Sequence, residues 1–300
     1  MKIVNFGPKG TEQPGVLVDA DTIVPLVPVL LDAGYPELST NAILALLPHL
    51  RPEIAARVQD AADSVQVADV RLGPPVPKPP KIIVAGANYW SHAEATSGRD
   101  APKPSDPMIV FKPTNTIIGP HDQLIRPAQS ERMDYEVELV VVIGRGGYRI
   151  PRERAYQHVA GYMIGNDVTS FDIAFKDVAV NPMFMQLARG KGIRTGAPTG
   201  PWLVTADEIA DPHQLDMTTW VNGELRQQGR TDDMIVDIPG LIASFTEVLT
   251  LEPGDIIYTG TVPGTGAMQK PPAFLFGGDV VRMRIEGLGE METPIVDEKL

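Results

Sequence analysis

The sequence contains no cysteine among its 300 residues. Disulfide bonds, thiolate nucleophiles, iron–sulfur clusters and cysteine-ligated zinc sites are therefore excluded. Basic residues are also scarce, since 26 Lys and Arg stand against 38 Asp and Glu and the formal net charge is −12. Nucleic acids and anionic lipid surfaces are bound by basic faces, so we expect neither a nucleic acid nor a membrane as a partner.

Long apolar runs are missing as well. The stretch Ile23–Leu31 holds two prolines and falls far short of the ~20 residues that a membrane-spanning helix needs. The opening residues MKIVNFG lack the hydrophobic region of a signal peptide. These features predict a cytoplasmic protein.

Glycine and proline are abundant, at 28 and 29 residues, which favours many turns and short strands. The run GPPVPKPP at 73–80 contains five prolines and predicts a stiff, extended connector. We therefore predict a small α+β module at 1–73, a proline-rich linker at 74–80 and a larger domain at 81–300. The predicted elements of the module are strands Lys2–Phe6 and Gly15–Val18 and helices Leu44–Leu50 and Pro52–Ala62.

The larger domain is rich in short strands. Its one amphipathic helix runs from Ile238 to Leu249, and Thr205–Glu208 matches a capping box that opens a short helix. The pair Asn222-Gly223 indicates a tight hairpin. We predict a β-rich α+β fold with mixed sheets, and its strands are expected at Lys81–Ala85, Met108–Lys112, Tyr135–Ile143, Gly161–Ile164, Trp220–Gln227, Ile256–Thr259 and Asp279–Glu286.

Two glutamates lie on one predicted strand, at Glu136 and Glu138. Side chains two residues apart point to the same face of a strand, and their α-carbons lie ~6.6 Å apart. A charged outer face is one interpretation. However, the strand continues as an apolar run typical of a central strand. Two buried carboxylates there need a counter-charge, which a divalent cation supplies.

A third acid, Asp167, follows the next predicted strand in the segment GNDVT. Alone it is typical of an Asx-turn or a helix cap. Together with the two glutamates it completes an all-carboxylate set, which suits Mg²⁺, Mn²⁺ or Ca²⁺.

Two further segments carry groups for acid–base chemistry and anion binding. His92, with Glu94 nearby, follows a predicted strand and is a candidate general base, although a single loop histidine is more often structural. Lys191 lies among small residues and is a candidate for stabilising a carboxylate or enolate. The segment from Phe171 to Arg194, rich in methionine, is either a mobile cover over a site or part of the core.

Taken together, these segments resemble the fumarylacetoacetate hydrolase family in order and spacing. The resemblance covers nearly all of residues 81–300, and its motifs are Asn88-Tyr89-x-x-His92, Phe111-Lys112-Pro113, Asp134–Leu139, Asn166–Thr169, Arg189-Gly190-Lys191, Val221–Gln227 and Gly254–Thr261.

The resemblance implies a β-roll core, a homodimer and metal-dependent C–C bond hydrolysis of 2,4-dioxo acids of the acylpyruvate type. The metal would stabilise the leaving pyruvate enolate. The implied metal ligands, for Mg²⁺ or Mn²⁺, are Glu136, Glu138 and Asp167. The implied catalytic residues are His92, Glu94 and Lys191, and the implied substrate contacts are Tyr89, Lys112, Arg189 and Thr259.

The chain departs from the family pattern at three places, and one of them is the final glycine loop, which is longer and richer in Thr than the common form. The family's glutamate three positions after the histidine is replaced by Ala95, and Glu94 stands one position earlier. The family's Ala-Arg-Asp after the Asn-Asp-Val-Thr motif is here Ser170-Phe171-Asp172. These departures leave the acid partner of His92 and the substrate open.

Several other activities remain compatible with the same residues. The same site would serve an isomerase, an oxaloacetate-type decarboxylase or a sugar-acid dehydratase. Two carboxylates ~6.6 Å apart also resemble the ~6.5–9.5 Å separation of an inverting glycosidase. A non-catalytic metal- or ligand-binding protein is a further alternative, because a fold does not fix a function.

Overall fold

β-Strands make up most of the regular structure of the protein. The computed structural model describes residues 1–61, 63–98 and 106–299. Its strands are β1 (Lys2–Phe6), β2 (Gln13–Leu17), β3 (Thr22–Pro25), β4 (Val65–Gln66), β5 (Ile82–Gly86), β6 (Met108–Lys112), β7 (Ile117–Ile118), β8 (Leu124–Arg126), β9 (Met133–Asp134), β10 (Val137–Ile143), β11 (Val159–Asn166), β12 (Thr169–Ser170), β13 (Ala197–Thr205), β14 (Asp216–Val221), β15 (Glu224–Arg230), β16 (Ile256–Thr261), β17 (Val280–Ile285) and β18 (Gly289–Asp297). Its α-helices are α1 (Val27–Asp32), α2 (Thr40–Asp60), α3 (Trp90–Ser97), α4 (Phe171–Ala174), α5 (Leu187–Lys191) and α6 (Ile238–Thr246).

The described strands form three sheets, of eleven, five and two strands. The large sheet has eleven strands in the order β4-β3-β2-β1-β13-β11-β10-β16-β5-β6, with β7 paired to β13. The five-stranded sheet has the order β15-β14-β17-β18-β8, and β9 pairs with β12. Parallel pairing of β16 with β5 makes the large sheet mixed. The predicted β-rich α+β fold with mixed sheets is confirmed.

Strand β10 lies in the middle of the large sheet, between β11 and β16. Its side chains alternate between two apolar clusters, as the period of a strand requires. Leu139 and Val141 belong to the cluster shared with the five-stranded sheet, and Val140 and Val142 to the cluster shared with α2. Glu138 therefore falls on the face of Val140, at the end of that row.

The N-terminal residues extend the large sheet. Strand β1 pairs antiparallel with β13, with Ile3 opposite Leu203. Arg71, from the predicted N-terminal module, donates a hydrogen bond to Asp122 of the predicted larger domain, with 2.7 Å between Nε and Oδ1. The division into 1–73, 74–80 and 81–300 stays a prediction about folding units, and its last residue, Leu300, lies outside the described residues.

The two predicted helices of the N-terminal part both fall in α2, and the predicted break between them is wrong because the structure has one continuous helix there. Pro48 and Pro52 lie inside α2. Each proline removes one hydrogen bond from the helix, but the apolar face that includes Ile43, Leu47 and Ile54 is buried on both sides of the prolines. Burial of that face therefore outweighs the two breaks. The predicted end at Ala62 lies outside the described residues.

The capping box at Thr205–Glu208 is also corrected. The segment forms one 3₁₀ turn without a side-chain cap, because the Thr205 hydroxyl instead accepts a hydrogen bond from the Met1 amino group at 2.7 Å. The hairpin at Asn222-Gly223 is confirmed, and both residues have positive φ, at 53° and 81°. No described helix is both long and apolar enough to cross a membrane.

Candidate active site

Three carboxylates meet at the end of the central strand pair. Glu138 lies in β10, Glu136 just precedes that strand, and Asp167 just follows β11. The Asp167 N–H donates to the Glu136 carbonyl at 3.0 Å, which holds the two chain segments together. One carboxylate oxygen of each residue lies within 4.8 Å of the others.

A bulge in the neighbouring strand orients Glu138. The register between β10 and β16 shifts between Glu138 and Val140, and Gly260 adopts a positive φ of 97° there. This backbone conformation favours glycine. It turns the Gly260 N–H toward Glu138, and the two are hydrogen-bonded at 2.6 Å. Bulges of this kind commonly redirect side chains beside active sites.

Two lysines accompany the carboxylates. Lys191, at the end of α5, contacts Asp167 closely and lies 3.2 Å from Glu136 and 2.9 Å from the Thr169 hydroxyl. Lys112 lies 2.8 Å from the other oxygen of Asp167 and donates to the Val168 carbonyl at 3.0 Å. Both lysines are therefore engaged with Asp167 rather than with solvent.

The ionisation of these groups reflects burial and mutual charge. Burial, together with the charge of Asp167, raises the pKa of Glu136 to about 7 against the pull of Lys191. Burial, with Asp167 and Glu136, raises the pKa of Glu138 well above its ordinary value. Burial opposes ionisation of Asp167, but Lys112 and Lys191 lower its pKa. The three carboxylates raise the pKa of Lys191 despite its burial.

The cluster fits a divalent cation. Its donors are all carboxylate oxygens, the donors that Mg²⁺, Mn²⁺ and Ca²⁺ prefer. Burial, with the neighbouring carboxylates, raises the pKa values of both glutamates, so their ionised forms need a further positive charge beside them. A cation held by Glu136, Glu138 and Asp167 would supply the missing positive charge.

His92 lies on the same cavity as the carboxylates. Burial lowers the pKa of its imidazole, while a hydrogen bond with the Val262 carbonyl opposes the shift. Its Nδ1 is buried and has no hydrogen-bond partner among the described residues. The neutral ring is therefore a candidate general base. Glu94 is exposed on α3 and lies outside the cavity lining, so the Val262 carbonyl, rather than Glu94, orients the ring.

The carboxylates line a cavity of about 180 Å³. Its polar residues are Glu136, Glu138, Asp167, Lys191, His92, Thr169 and Thr261, and its other lining residues are Val84, Ala85, Gly86, Ala87, Met108, Phe171, Phe175, Leu187 and Gly260. The structure thus brings together the predicted metal ligands, His92 and Lys191. A larger cavity of about 820 Å³ between α2 and the turn at Gly144 contains none of them.

The predicted substrate contacts lie elsewhere. Tyr89 is fully buried with its hydroxyl 3.5 Å from the Met217 sulfur. The Thr259 hydroxyl donates to the Leu139 carbonyl at 2.9 Å. Arg189 is exposed and lines a different cavity, and Lys112 lies behind Asp167. None of the four lines the cavity with the carboxylates, and their role as substrate contacts stays a prediction.

Some residues that line the cavity were not predicted as site residues from the sequence. Phe175 and Met108 are partly exposed apolar side chains, which nothing in a single sequence separates from core residues. Phe171 was visible only as a departure from the family pattern. The interpretation of the methionine-rich segment as core is wrong, because Met183 and Met185 are 88% and 45% exposed. Whether this segment moves stays a prediction.

Comparison with known proteins agrees with this geometry. The model of the fumarylacetoacetate (FAA) hydrolase C-terminal domain matches residues 81–296. A human protein named as a mitochondrial oxaloacetate tautomerase is 40% identical over 229 residues, which cover 76% of this chain and 70% of the human one.

Solved structures align over the whole chain. Maleylpyruvate hydrolase from Sphingobium, in complex with manganese(II) and pyruvate, has a TM-score of 0.80 and 32% identity, and the alignment covers 100% of both chains. The 2-hydroxyhepta-2,4-diene-1,7-dioate isomerase from Mycobacterium marinum has a TM-score of 0.73 and 30% identity, again over 100% of both chains.

Proposed function

The chain belongs to the fumarylacetoacetate hydrolase family, and on that premise we propose that it is a divalent-metal-dependent hydrolase of 2,4-dioxo acids of the acylpyruvate type. The observation that carries the proposal is one cavity lined by Glu136, Glu138, Asp167, Lys191 and His92. The maleylpyruvate hydrolase with bound manganese(II) and pyruvate supports the same chemistry.

We propose Mg²⁺ or Mn²⁺ as the cation, held by Glu136, Glu138 and Asp167. When bound, such a cation supplies Lewis-acid polarisation of a 2-oxo acid. The residues around it position the substrate. The ammonium group of Lys191, held by Asp167 and Thr169, places a fixed positive charge where negative charge develops on the substrate oxygens.

His92 performs the proton transfer. Its neutral imidazole takes a proton from water, and the resulting hydroxide adds to the carbonyl carbon remote from the carboxylate. The bond between that carbon and the methylene carbon breaks, and the electron pair stays on the methylene carbon. A carboxylic acid leaves, and protonation of the methylene carbon by His92 yields pyruvate. One water is consumed for each bond cleaved.

A second candidate is a tautomerase, favoured by the 40% identity to the human oxaloacetate tautomerase. The same cavity would shift a proton between carbon and oxygen of an enol without adding water. Isomerase, decarboxylase and dehydratase activities would share an enolate, which an isomerase reprotonates, a decarboxylase forms by loss of CO₂ and a dehydratase forms by loss of water. That the chain acts as a cytoplasmic homodimer stays part of the proposal.

The test is a metal-dependent product assay. The protein is stripped with EDTA and incubated with acetylpyruvate or oxaloacetate, with and without added Mg²⁺, while the enol absorbance is followed and pyruvate and acetate are quantified. We expect acetylpyruvate to yield pyruvate and acetate in equal amounts only when Mg²⁺ is present. Loss of the oxaloacetate enol without pyruvate, and no cleavage of acetylpyruvate, would replace the hydrolase by the tautomerase. EDTA-resistant cleavage would contradict the metal site.

A further inference from the structure

The cavity has a charged floor and an apolar mouth. The floor carboxylates Glu138 and Asp167 are at most 1% exposed. The apolar lining residues Met108 and Phe175 are 43% and 37% exposed. A substrate that reaches the floor with its 2-oxo acid end therefore leaves its other end among these apolar side chains.

The mouth is built from aromatic rings that hold one another in place. Phe171 stacks on Phe175 with 5.5 Å between ring centroids and lies 6.4 Å from the Phe274 ring. Met108 packs across Gly86, where a Cβ atom would come within 1.9 Å of the Met108 methyl carbon. The apolar wall is thus formed before a ligand arrives.

The positive charge of the described cavity lining lies on the floor, and the Arg132 guanidinium lies over the Phe274 ring, 5.2 Å from its centroid, outside that lining. Among the cavity-lining residues that the structure describes, Lys191 alone carries a positive side chain, and Asp167 and Glu136 already bind it. Among the described lining residues, a second carboxylate on the ligand would meet apolar side chains at the mouth and the acidic cluster below. Burying an unpaired charge in such surroundings is unfavourable.

We propose that this cavity selects 2-oxo acids whose end remote from the carboxylate is uncharged and apolar, and that Phe171, Phe175 and Met108 set this preference. The inference rests on the proposed function for the class of compound. It goes beyond that function by separating monocarboxylic acyl substrates from dicarboxylic ones.

The size of the effect follows from apolar burial. Each methylene group removed from water contributes about fourfold in affinity. A cavity of about 180 Å³ holds about six waters at ~30 Å³ each. The gain should therefore continue over a few carbons and then level off. An unpaired carboxylate in place of the terminal methyl group should weaken binding at least ~10-fold.

Measurements of ligand affinity test the proposed preference for an apolar end without requiring turnover. Isothermal titration with Mn²⁺ present compares 2-oxohexanoate with 2-oxoadipate, which have equal chain length and differ by a terminal methyl or carboxylate group. We expect 2-oxohexanoate to bind at least ~10-fold more tightly. Phe175 is partly exposed, so its position accommodates a long side chain. In Phe175→Arg we expect the ratio of the 2-oxoadipate to the 2-oxohexanoate dissociation constant to fall at least ~10-fold. Met108→Lys repeats the test on another element. Tyr148→Arg, an exposed aromatic residue outside the cavity, should leave the ratio unchanged.

Equal or tighter binding of 2-oxoadipate by the native protein would overturn the inference. An unchanged ratio in both Phe175→Arg and Met108→Lys would overturn the role of the mouth residues. These outcomes are separate from the proposed function, since acetylpyruvate cleavage tests the function whichever ligand binds better. Discrimination between the two oxo acids without any cleavage would support the inference and contradict the hydrolase.

Discussion

Replacement of Lys191 by methionine separates the structural role of this lysine from its chemical role. Lys191 lies within 3.2 Å of Glu136 and 2.9 Å of Thr169, and contacts Asp167. Removing one partner of a buried ion pair costs about 3–5 kcal/mol. At roughly 2 °C per kcal/mol for a chain of this size, the metal-free variant should melt on the order of 6–10 °C below the native protein.

The same substitution should strengthen metal binding. Lys191 is a cation directly beside the three carboxylates, so it competes electrostatically with a bound divalent cation. We expect Mn²⁺ to bind Lys191→Met at least ~10-fold more tightly, which is ~1.4 kcal/mol. At saturating Mn²⁺ the rise in melting temperature should be about 3 °C larger than in the native protein. Acylpyruvate turnover should fall by at least ~100-fold, because the fixed charge on the substrate is lost.

Thermal denaturation with and without Mn²⁺, together with kcat/KM, measures all three effects. Lys176→Met is the matched control, since Lys176 is exposed and should leave each quantity unchanged. Metal-free Lys191→Met that is as stable as the native protein would contradict the structural role of Lys191. A larger Mn²⁺-induced stabilisation of the native protein than of the variant would contradict its competition with the cation.

Three further predictions address other groups. Glu138→Gln should weaken Mn²⁺ binding at least ~10-fold without lowering metal-free stability, because burial already disfavours the charged form of Glu138. Titration of free Mn²⁺ by electron paramagnetic resonance measures the affinity, and a melting curve measures the stability. Native-like affinity would exclude Glu138 as a ligand. His92→Asn should lower kcat by ~10²–10⁴-fold and keep the Mn²⁺-induced rise in melting temperature, so loss of that rise would argue against a role confined to proton transfer. Burial opposes ionisation of Asp122, but hydrogen bonds from Arg71 and the Gly119 N–H lower its pKa. The ionised Asp122 should therefore stabilise the native protein above pH ~4, and this stability should be lost as the pH falls through the lowered pKa. In Asp122→Asn, chemical denaturation should show a weaker dependence of stability on pH in this acid range.

The sequence was most informative where local pattern and packing agree. The alternation along β10 placed Glu138 on a buried face, and the apolar run that follows it marked a central strand, which the order β11-β10-β16 confirms. The Asn222-Gly223 turn was predictable because both positions need positive φ. These features depend on neighbours in sequence.

Features that depend on contacts between residues distant in the sequence could not be predicted from local sequence patterns. Burial of its apolar face carries α2 through Pro48 and Pro52, and no local pattern reports that burial. The Thr205 hydroxyl is taken by the chain's own amino terminus, 204 residues away. Tyr89 belongs to a matching motif, yet its ring is needed in the core, so motif membership did not determine which side chains reach the cavity.

Turnover of acetylpyruvate in ¹⁸O-labelled water, with Mg²⁺ present and the products separated by mass spectrometry, tests the central claim most directly. If His92 activates water for cleavage of the C–C bond, each acetate released carries one ¹⁸O from solvent and appears with one pyruvate. Recovery of intact acetylpyruvate, altered only in its keto–enol ratio and accompanied by no labelled acetate, would contradict the hydrolase and leave a proton-transfer enzyme.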